Sequence, residues 1–231
     1  MTHARLPRRR FLRSSAAAAL AAGAVKALGA NDRLRIALIG AGDRGTALMR
    51  DVHAFAKANN AAVAAVCDVW RVNRERAAAE AEKRFGGPIA TTSRFEDCLA
   101  MPDIDAAIIA TPDFGHAPIL KAAVEAGKDA YVEKPLTYEL AEARAAREAA
   151  RRTGRIVQVG TQRRSDGLHI AAAEIVRGGV LGPITRVSVG MHFNQGPRWL
   201  RPCDDCKPED VDWEAYLFNR PARPFDSKLL R

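Results

Sequence analysis

A glycine-rich segment near the start of the chain has the residue types and spacing of a phosphate-binding turn. Gly40, Gly42 and Gly45 fall in the order Gly-x-Gly-x-x-Gly, directly after an apolar run. In such a motif the first glycine permits a tight turn, the second lets the backbone approach a pyrophosphate, and the third lets a helix pack closely on a strand. The N–H groups of the following helix, from Asp43 and Arg44 onwards, would face the anion. The motif therefore predicts that Gly40, Gly42, Asp43, Arg44 and Gly45 bind a dinucleotide.

Asp68 lies 23 residues beyond Gly45 and ends a second apolar run. A carboxylate at this position accepts hydrogen bonds from the ribose hydroxyls of the adenosine and repels a 2′-phosphate. The predicted cofactor is therefore NAD, with NADP the weaker alternative. Arg71 and Arg74 follow closely enough in sequence to temper that preference.

Lys134 is the residue with the strongest case for a role in catalysis. It follows a predicted strand at 129–133 and precedes Pro135. Open parallel sheets hold ligands and reacting groups at the carboxyl ends of their strands. An ammonium group there can bind a hydroxyl or carbonyl oxygen and stabilise charge that develops on it during hydride transfer. Lys134 is thus predicted to be catalytic, and Glu133 to hold it in place or to contact the cofactor; a solvated lysine at a strand end is the alternative.

Apolar runs and helical patterns alternate from residue 34 to residue 160. The predicted strands are 34–39, 62–67, 89–91, 106–110, 129–133 and 156–159, and the predicted helices are 44–58, 71–85, 95–100, 117–126 and 139–152. This alternation is typical of βαβ units with a parallel sheet covered on both faces. Right-handed crossovers then leave a doubly wound α/β arrangement, the Rossmann fold.

The glycine motif, Asp68 and the segment Tyr131-Val132-Glu133-Lys134-Pro135 together resemble the Gfo/Idh/MocA family of nicotinamide-dependent oxidoreductases. The resemblance covers nearly everything after residue 30. It implies hydride transfer between a nicotinamide cofactor and a sugar, cyclitol or related polyol. It also implies that Thr111, Pro112 and His116 line the dinucleotide cleft, although His116 could equally be a helix-starting residue without a ligand.

After Gly160 the alternating pattern changes. Helices are predicted at 168–176 and 213–218, and a longer strand at 184–193. The resemblance implies a second, α+β domain with a mainly antiparallel sheet, which would bind substrate and support a homo-oligomer. The predicted division is a dinucleotide-binding domain at 31–160 and an incomplete substrate and oligomerisation domain at 161–231. Candidates to meet the substrate are Gln162, Arg163, Arg164, His192 and Asn194.

The family resemblance also implies an acid/base histidine in an Asp-x-x-x-His-like motif beyond the segment that Trp213 begins. No histidine follows Trp213 in this chain, so we expect the sequence to be truncated within its second domain. Two alternatives to a polyol dehydrogenase stay open. One is an NAD-dependent glycoside hydrolase that uses transient oxidation, and the other is a non-catalytic dinucleotide-binding fragment.

The N-terminal segment resembles a twin-arginine export signal. Arg8 and Arg9 precede Phe11-Leu12, and an alanine-rich apolar run extends from Ser14 to Val25. This run is too short to span a bilayer as a mature helix. Residues 1–30 are therefore predicted to be a signal peptide for the twin-arginine translocation machinery, and the protein to be periplasmic or otherwise exported. A disordered basic tail is the alternative.

Charge and cysteines narrow the remaining function classes. The net charge is +9, but residues 1–30 hold six basic residues and no acidic one, and the remainder, with thirty basic against 27 acidic residues, carries +3. That balance gives no electrostatic case for nucleic-acid binding. No metal site is predicted, since Cys67 and Cys98 fall in apolar patterns. For the lone Cys-x-x-Cys of Cys203 and Cys206, a local disulfide, a metal shared with His192 and free thiols all stay open.

Overall fold

The computed structural model of the chain describes residues 33–190 and 206–230. These residues fall in one compact unit. The predicted export signal, His192, Asn194 and Cys203 lie outside the described residues.

Six parallel strands form a single sheet with the order β3-β2-β1-β4-β5-β6. They are β1 (Leu34–Ile39), β2 (Ala61–Cys67), β3 (Ala90–Thr92), β4 (Ala106–Ile109), β5 (Asp129–Glu133) and β6 (Val157–Gly160). The doubly wound α/β fold is confirmed, and each strand lies within about one residue of its predicted bounds. Strand order reverses between β1 and β4, and open α/β sheets bind their ligands outside the carboxyl ends of the strands at such a point.

Helices cover both faces of the sheet. They are α1 (Asp43–Asn59), α2 (Arg71–Phe85), α3 (Phe95–Ala100), α4 (His116–Glu125) and α5 (Leu140–Thr153). In β1, Ile36 and Leu38 belong to one buried cluster, while Ala37 and Ile39 belong to another. Because successive side chains of a strand point to opposite faces, the two clusters lie on opposite sides of the sheet. The first cluster includes buried residues of α1 and α2, and the second includes buried residues of α3, α4 and α5.

Beyond Gly160 the described residues form helices but no strand. These helices are α6 (Gly167–Arg177) and α7 (Trp213–Leu217), close to their predicted positions. The predicted strand at 184–193 is wrong over 184–190, which has no regular secondary structure, and residues 191–193 lie outside the described part. A strand needs a neighbour for its N–H and C=O groups, and no described segment pairs with 184–190. The domain division at residue 160 and the antiparallel second sheet remain predictions.

Residues 206–212, here called the returning segment, lie against the carboxyl edge of the parallel sheet. Val211 forms an antiparallel bridge with Trp70, just after β2. The Asp212 N–H donates to the Val69 carbonyl at 2.9 Å, and Ser93 Oγ donates to Asp212 Oδ2 at 2.8 Å. The chain after residue 205 therefore contacts the sheet edge at which a ligand would bind.

No helix in the described ranges is both long and apolar enough to cross a membrane.

Candidate dinucleotide and catalytic site

The three glycines of the turn at residues 40–45 differ in the space around the position of a Cβ atom. Gly40 has φ +89°, and a Cβ there would lie 2.6 Å from the Ala110 carbonyl. A Cβ on Gly45 would lie 1.9 Å from the Gly40 oxygen, so α1 can approach the end of β1 only without a side chain at this position. A Cβ on Gly42 would meet nothing within 4 Å. Gly40 and Gly45 thus shape the turn, while Gly42 leaves open the space that a pyrophosphate would need.

The N-terminus of α1 faces that open space with unused donors. No side chain caps the helix at Gly42, and its first internal bond runs from the Thr46 N–H to the Gly42 carbonyl at 2.9 Å. The N–H groups of Asp43, Arg44 and Gly45 therefore have no partner within the helix. Together with the helix dipole they form an anion-binding position. The Asp43 side chain is exposed, and its predicted contact with the cofactor stays a prediction.

Asp68 links the end of β2 to the glycine turn. Its Oδ2 accepts from the Ala41 N–H at 2.7 Å, and its Oδ1 accepts from the Trp70 N–H at 2.9 Å. Each carboxylate oxygen has a further lone pair that could accept from a ribose hydroxyl. Burial raises the pKa of Asp68, while these two N–H donors and the nearby Arg74 and Arg76 limit the rise. The remaining acceptor positions of Asp68 therefore suit the hydroxyl groups of an adenosine ribose.

Lys134 is the first residue after β5 and is exposed. The Lys134–Pro135 peptide bond is cis. The Lys134 N–H donates to Glu133 Oε2 at 3.1 Å, while no side chain in the described part of the chain pairs with its ammonium group. That ammonium is consequently available to a ligand at the carboxyl edge of the sheet.

Glu133 forms an ion pair with Arg44 that the sequence analysis did not predict. Its Oε1 accepts from both Arg44 Nε and Arg44 Nη2 at 2.6 Å, and from the Tyr131 hydroxyl at 3.3 Å. Burial, followed by the charge of Glu133, raises the pKa of Tyr131, which keeps this hydroxyl a donor. Glu133 Oε2 also accepts from the Lys134 N–H, in agreement with the prediction that Glu133 holds Lys134 in place, while its predicted contact with the cofactor stays a prediction. Its carboxylate joins the glycine turn to β5 through Arg44.

His116 is 1% exposed and does not present a ring nitrogen to the cleft. Its Nδ1 lies 2.6 Å from the Pro135 carbonyl oxygen, and its Nε2 lies 2.8 Å from the Thr111 carbonyl oxygen. Of the two interpretations of His116, the structure agrees with a residue that starts a helix and disagrees with one that lines the dinucleotide cleft, because both ring nitrogens already face backbone carbonyl oxygens. His116 instead ties the loop after β4 to the loop that carries Lys134.

Thr111 and Pro112 follow Ala110, the first residue after β4, at the point where strand order reverses. Thr111 Oγ1 is buried and has no hydrogen-bond partner among the residues that the structure describes. Buried hydroxyls normally have a partner, so this group is a candidate to contact a bound molecule. The open side of Gly42, the free N–H groups of α1, the remaining lone pairs of Asp68 and this hydroxyl together fit a dinucleotide.

A sequence model of an oxidoreductase family with an NAD-binding Rossmann fold, Gfo/Idh/MocA, matches residues 34–161. The chain belongs to the Gfo/Idh/MocA family. The predicted family and the NAD class of its cofactor are thereby confirmed.

Individual relatives of this Gfo/Idh/MocA chain include dehydrogenases and glycosyl hydrolase family 109 proteins. It is 43% identical over 86 residues to scyllo-inositol 2-dehydrogenase (NAD(+)) of Bacillus subtilis (strain 168), covering 37% of this chain and 25% of that protein. It is 35% identical over 109 residues to glycosyl hydrolase family 109 protein 2 of Shewanella sp. (strain ANA-3), covering 46% and 23%. The crystal structure of myo-inositol 2-dehydrogenase from Lactobacillus plantarum aligns with a TM-score of 0.58 and 29% identity, covering 66% and 43%. The chain therefore spans between about a quarter and less than half of the length of these three proteins.

Several predicted site residues are not brought to the Gfo/Idh/MocA cofactor site. Gln162, Arg163 and Arg164 lie in an exposed turn after β6, and their contact with a substrate stays a prediction. Cys206 is buried, whereas Cys203 lies outside the described residues, so the three alternatives for this pair stay open. Within residues 33–190 and 206–230, no group of three or more His, Cys, Asp or Glu side chains could hold a metal ion.

Proposed function

We propose that this chain binds NAD where strand order reverses between β1 and β4, and that the protein transfers a hydride between NAD and a cyclitol or related polyol. The observation that carries this proposal is the exposed, unpaired ammonium of Lys134 at the carboxyl end of β5, beside a glycine turn whose open side fits a pyrophosphate. Similarity to inositol dehydrogenases supports the substrate class.

In this proposal each residue of the site has a separate task. The N–H groups at the start of α1 bind the pyrophosphate, and Asp68 accepts from the adenosine ribose, which favours NAD over NADP. Bound NAD supplies the nicotinamide ring that accepts or donates the hydride. Lys134 Nζ donates a hydrogen bond to the substrate oxygen and stabilises the charge that develops there. Glu133 and His116 keep the loops on either side of Lys134 in place.

The test measures NADH binding and substrate turnover separately. Lys134→Ala should keep the Kd for NADH within about twofold, because the lysine is proposed to contact the substrate. Inositol-dependent formation of NADH should fall by about 10²–10³, the usual effect of removing one transition-state donor. The matched control is Lys57→Ala, an exposed lysine in the last turn of α1, which should change neither quantity. Unchanged turnover in Lys134→Ala would contradict the proposed role.

A second candidate function is glycoside hydrolysis with NAD retained through transient oxidation. The similarity to a glycosyl hydrolase family 109 protein over 109 residues favours it specifically. This reaction would release sugar from a glycoside without net formation of NADH. A non-catalytic dinucleotide-binding chain would show NADH binding with neither reaction, so the same assay separates all three.

Export by the twin-arginine route is likewise proposed, on the basis of Arg8, Arg9 and the alanine-rich run that follows them. Arg8→Lys together with Arg9→Lys should leave precursor in the cytoplasm. Equal periplasmic yield from the double variant would contradict export by this route. Homo-oligomer formation, proposed on the family resemblance, is tested by sedimentation of the protein, and a monomer at micromolar concentration would contradict it.

A further inference from the structure

Arg71 is positioned to affect cofactor choice. It is the first residue of α2. It lies three residues after Asp68, which is the residue that follows β2. An arginine in this region of a dinucleotide-binding fold can accommodate the 2′-phosphate of NADP. A free Arg71 would therefore act against the preference for NAD that Asp68 creates.

The structure shows that Arg71 is already paired. Its Nη2 and Nε lie 2.6 and 3.1 Å from Asp210 Oδ1, and its Nη1 lies 3.0 Å from Glu75 Oε2. The Asp210 side chain is 12% exposed, whereas that of Glu75 is 60% exposed. Water screens the Glu75 pair strongly and the Asp210 pair much less. Asp210 is therefore the main partner of Arg71.

Asp210 is held against the sheet edge by its neighbours in the returning segment. Val211 forms the bridge to Trp70, the residue next to Arg71. The Asp212 N–H donates to Val69, and the Asp212 carboxylate accepts from Ser93. These contacts fix the backbone directly after Asp210, so its carboxylate stays beside Arg71.

Two other arginines lie near Asp68, and their bonding differs. Arg74 Nη1 donates to the Asp68 carbonyl at 2.6 Å. Arg76 Nη2 donates to Asn73 Oδ1 at 2.9 Å and to the Ala41 carbonyl at 3.4 Å. Both bind neutral acceptors. Arg71 differs because its charge is balanced by carboxylates, one of which comes from a distant part of the chain.

We propose that Asp210 is a positioning residue for cofactor specificity: by holding Arg71, it withdraws a cation from the 2′-phosphate position and keeps the site selective for NAD. The inference rests on the proposed dinucleotide site and extends that site to the returning segment.

The test compares the Kd of NADH and NADPH, measured by calorimetric titration of the 231-residue chain and its variants. Asp210→Asn should lower the ratio of the NADPH Kd to the NADH Kd by about tenfold or more, because a charge-assisted hydrogen bond to the phosphate is worth about 1.5–3 kcal/mol and each 1.4 kcal/mol is about tenfold. The Kd of NADH should stay within about twofold. Glu209→Gln is the matched control, since it removes the same charge from the adjacent exposed residue and should leave the ratio unchanged.

Double variants show whether the change in the Kd ratio caused by Asp210→Asn depends on Arg71. Adding Arg71→Ala to Asp210→Asn should restore the original ratio, and adding Arg74→Ala should restore it much less. If Asp210→Asn does not fold, Glu75→Gln should shift the ratio in the same direction by a smaller factor. The proposal is overturned by an unchanged ratio in Asp210→Asn and Glu75→Gln, by an equal shift in Glu209→Gln, or by a shift that survives Arg71→Ala.

Failure of this inference can be distinguished from failure of the proposed function. If the unmutated chain binds neither NADH nor NADPH, the proposed function and the role of Asp210 are both overturned. If the unmutated chain prefers NADH and Asp210→Asn leaves that preference unchanged, only the role of Asp210 is overturned. Binding and selectivity as expected, without any hydride transfer to polyols, overturns the proposed reaction and supports the specificity role.

Discussion

Arg44 and Glu133 join the glycine turn to the end of β5, with Nε and Nη2 of Arg44 both 2.6 Å from Glu133 Oε1. The two partners differ in environment, since the Glu133 side chain is 4% exposed and that of Arg44 is 44% exposed. A buried carboxylate without a cation is costly, whereas a half-exposed guanidinium can be solvated. The pair therefore links the glycine turn to the end of β5. Its main energetic effect is to balance the charge of the buried Glu133 carboxylate.

The first prediction is that Arg44→Met lowers the free energy of unfolding by about 2–3 kcal/mol, because it leaves the Glu133 carboxylate buried without its cation. Adding Glu133→Gln should recover most of that loss. Asp103→Asn is the control, since it breaks an ion pair with Arg35 of the same 2.6 Å length whose side chains are 41% and 54% exposed. That variant should cost less than about 1 kcal/mol. Urea unfolding measures the free energy of unfolding of these three variants. Equal losses in Arg44→Met and Asp103→Asn would contradict the argument.

The second prediction separates the two roles of glycine in the turn. Gly45→Ala should destabilise the fold by about 3 kcal/mol or more, because its Cβ would lie 1.9 Å from the Gly40 oxygen. Gly42→Ala should change stability by less than about 1 kcal/mol, since Gly42 has φ −68° and open space around it. It should nevertheless weaken NADH binding at least about tenfold, because the methyl group occupies the proposed pyrophosphate position.

Gly167→Ala is the control for the turn variants, because a Cβ at Gly167 also meets nothing within 4 Å and the residue lies at the start of α6. It should affect neither stability nor binding by more than a small amount. Thermal unfolding and NADH titration give the two readouts. Undiminished NADH binding by Gly42→Ala would argue against a pyrophosphate at this turn.

The parts of the site that follow from local sequence could be predicted, and the parts that depend on distant partners could not. The glycine turn, Asp68 and Lys134 lie at the ends of strands, as predicted, because the alternation of strands and helices can be read from the local sequence. The Arg44–Glu133 pair joins residues 89 positions apart, and no local pattern specifies it. A signal did exist, since Tyr131 and Glu133 share one face of β5 by the strand period of two, and a carboxylate on a buried face requires a partner.

The same reasoning explains two further differences between sequence and structure. Arg71 and Asp210 are 139 positions apart, so their pairing depends on the return of the chain to the sheet edge. Residues 184–190 have the alternating pattern of a strand, but a strand forms only where a neighbour completes its hydrogen bonds. Alternation therefore indicates the capacity for a strand, and pairing decides whether one forms.

The third prediction concerns pH. Hydrogen bonds from Arg50, together with those from Arg84, lower the pKa of Glu80 from its ordinary 4.5 to about 2. Because the folded-state pKa is depressed, this stabilisation is present above the ordinary value and is lost as pH falls from about 4.5 towards about 2.

Glu80→Gln should accordingly lower the free energy of unfolding by about 1 kcal/mol at neutral pH, a small value because the network is partly screened by water. The difference from the unmutated chain should vanish near pH 2. Glu82→Gln, at an exposed position on the same helix, is the control and should change the free energy of unfolding by less than about 0.5 kcal/mol at neutral pH. Urea unfolding across this pH range measures the effect, and a constant difference between the Glu80 variant and the unmutated chain would contradict it.

The fourth prediction is that His116 stabilises the loop that carries Lys134. The His116 ring is buried between the Thr111 and Pro135 carbonyl oxygens, so His116→Ala removes its contacts with both and leaves a cavity. We expect a loss of about 2–4 kcal/mol in the free energy of unfolding, from the cavity and the lost hydrogen bonding of the ring together. His169→Ala is the control, because the His169 ring is 45% exposed and pairs with Asp166 away from this loop.

Stability alone would not distinguish a positioning role from ordinary packing, so the decisive measurement is local. If His116 holds the loop, amide hydrogen exchange at residues 136–139 should accelerate in His116→Ala more than exchange in β4 and β5, since local opening needs less free energy than global unfolding. A uniform acceleration across the sheet would instead make His116 a core residue without a specific effect on Lys134. Because the Pro135 carbonyl belongs to the residue directly after Lys134, selective loosening there would move the ammonium itself, and turnover would fall while NADH binding remained.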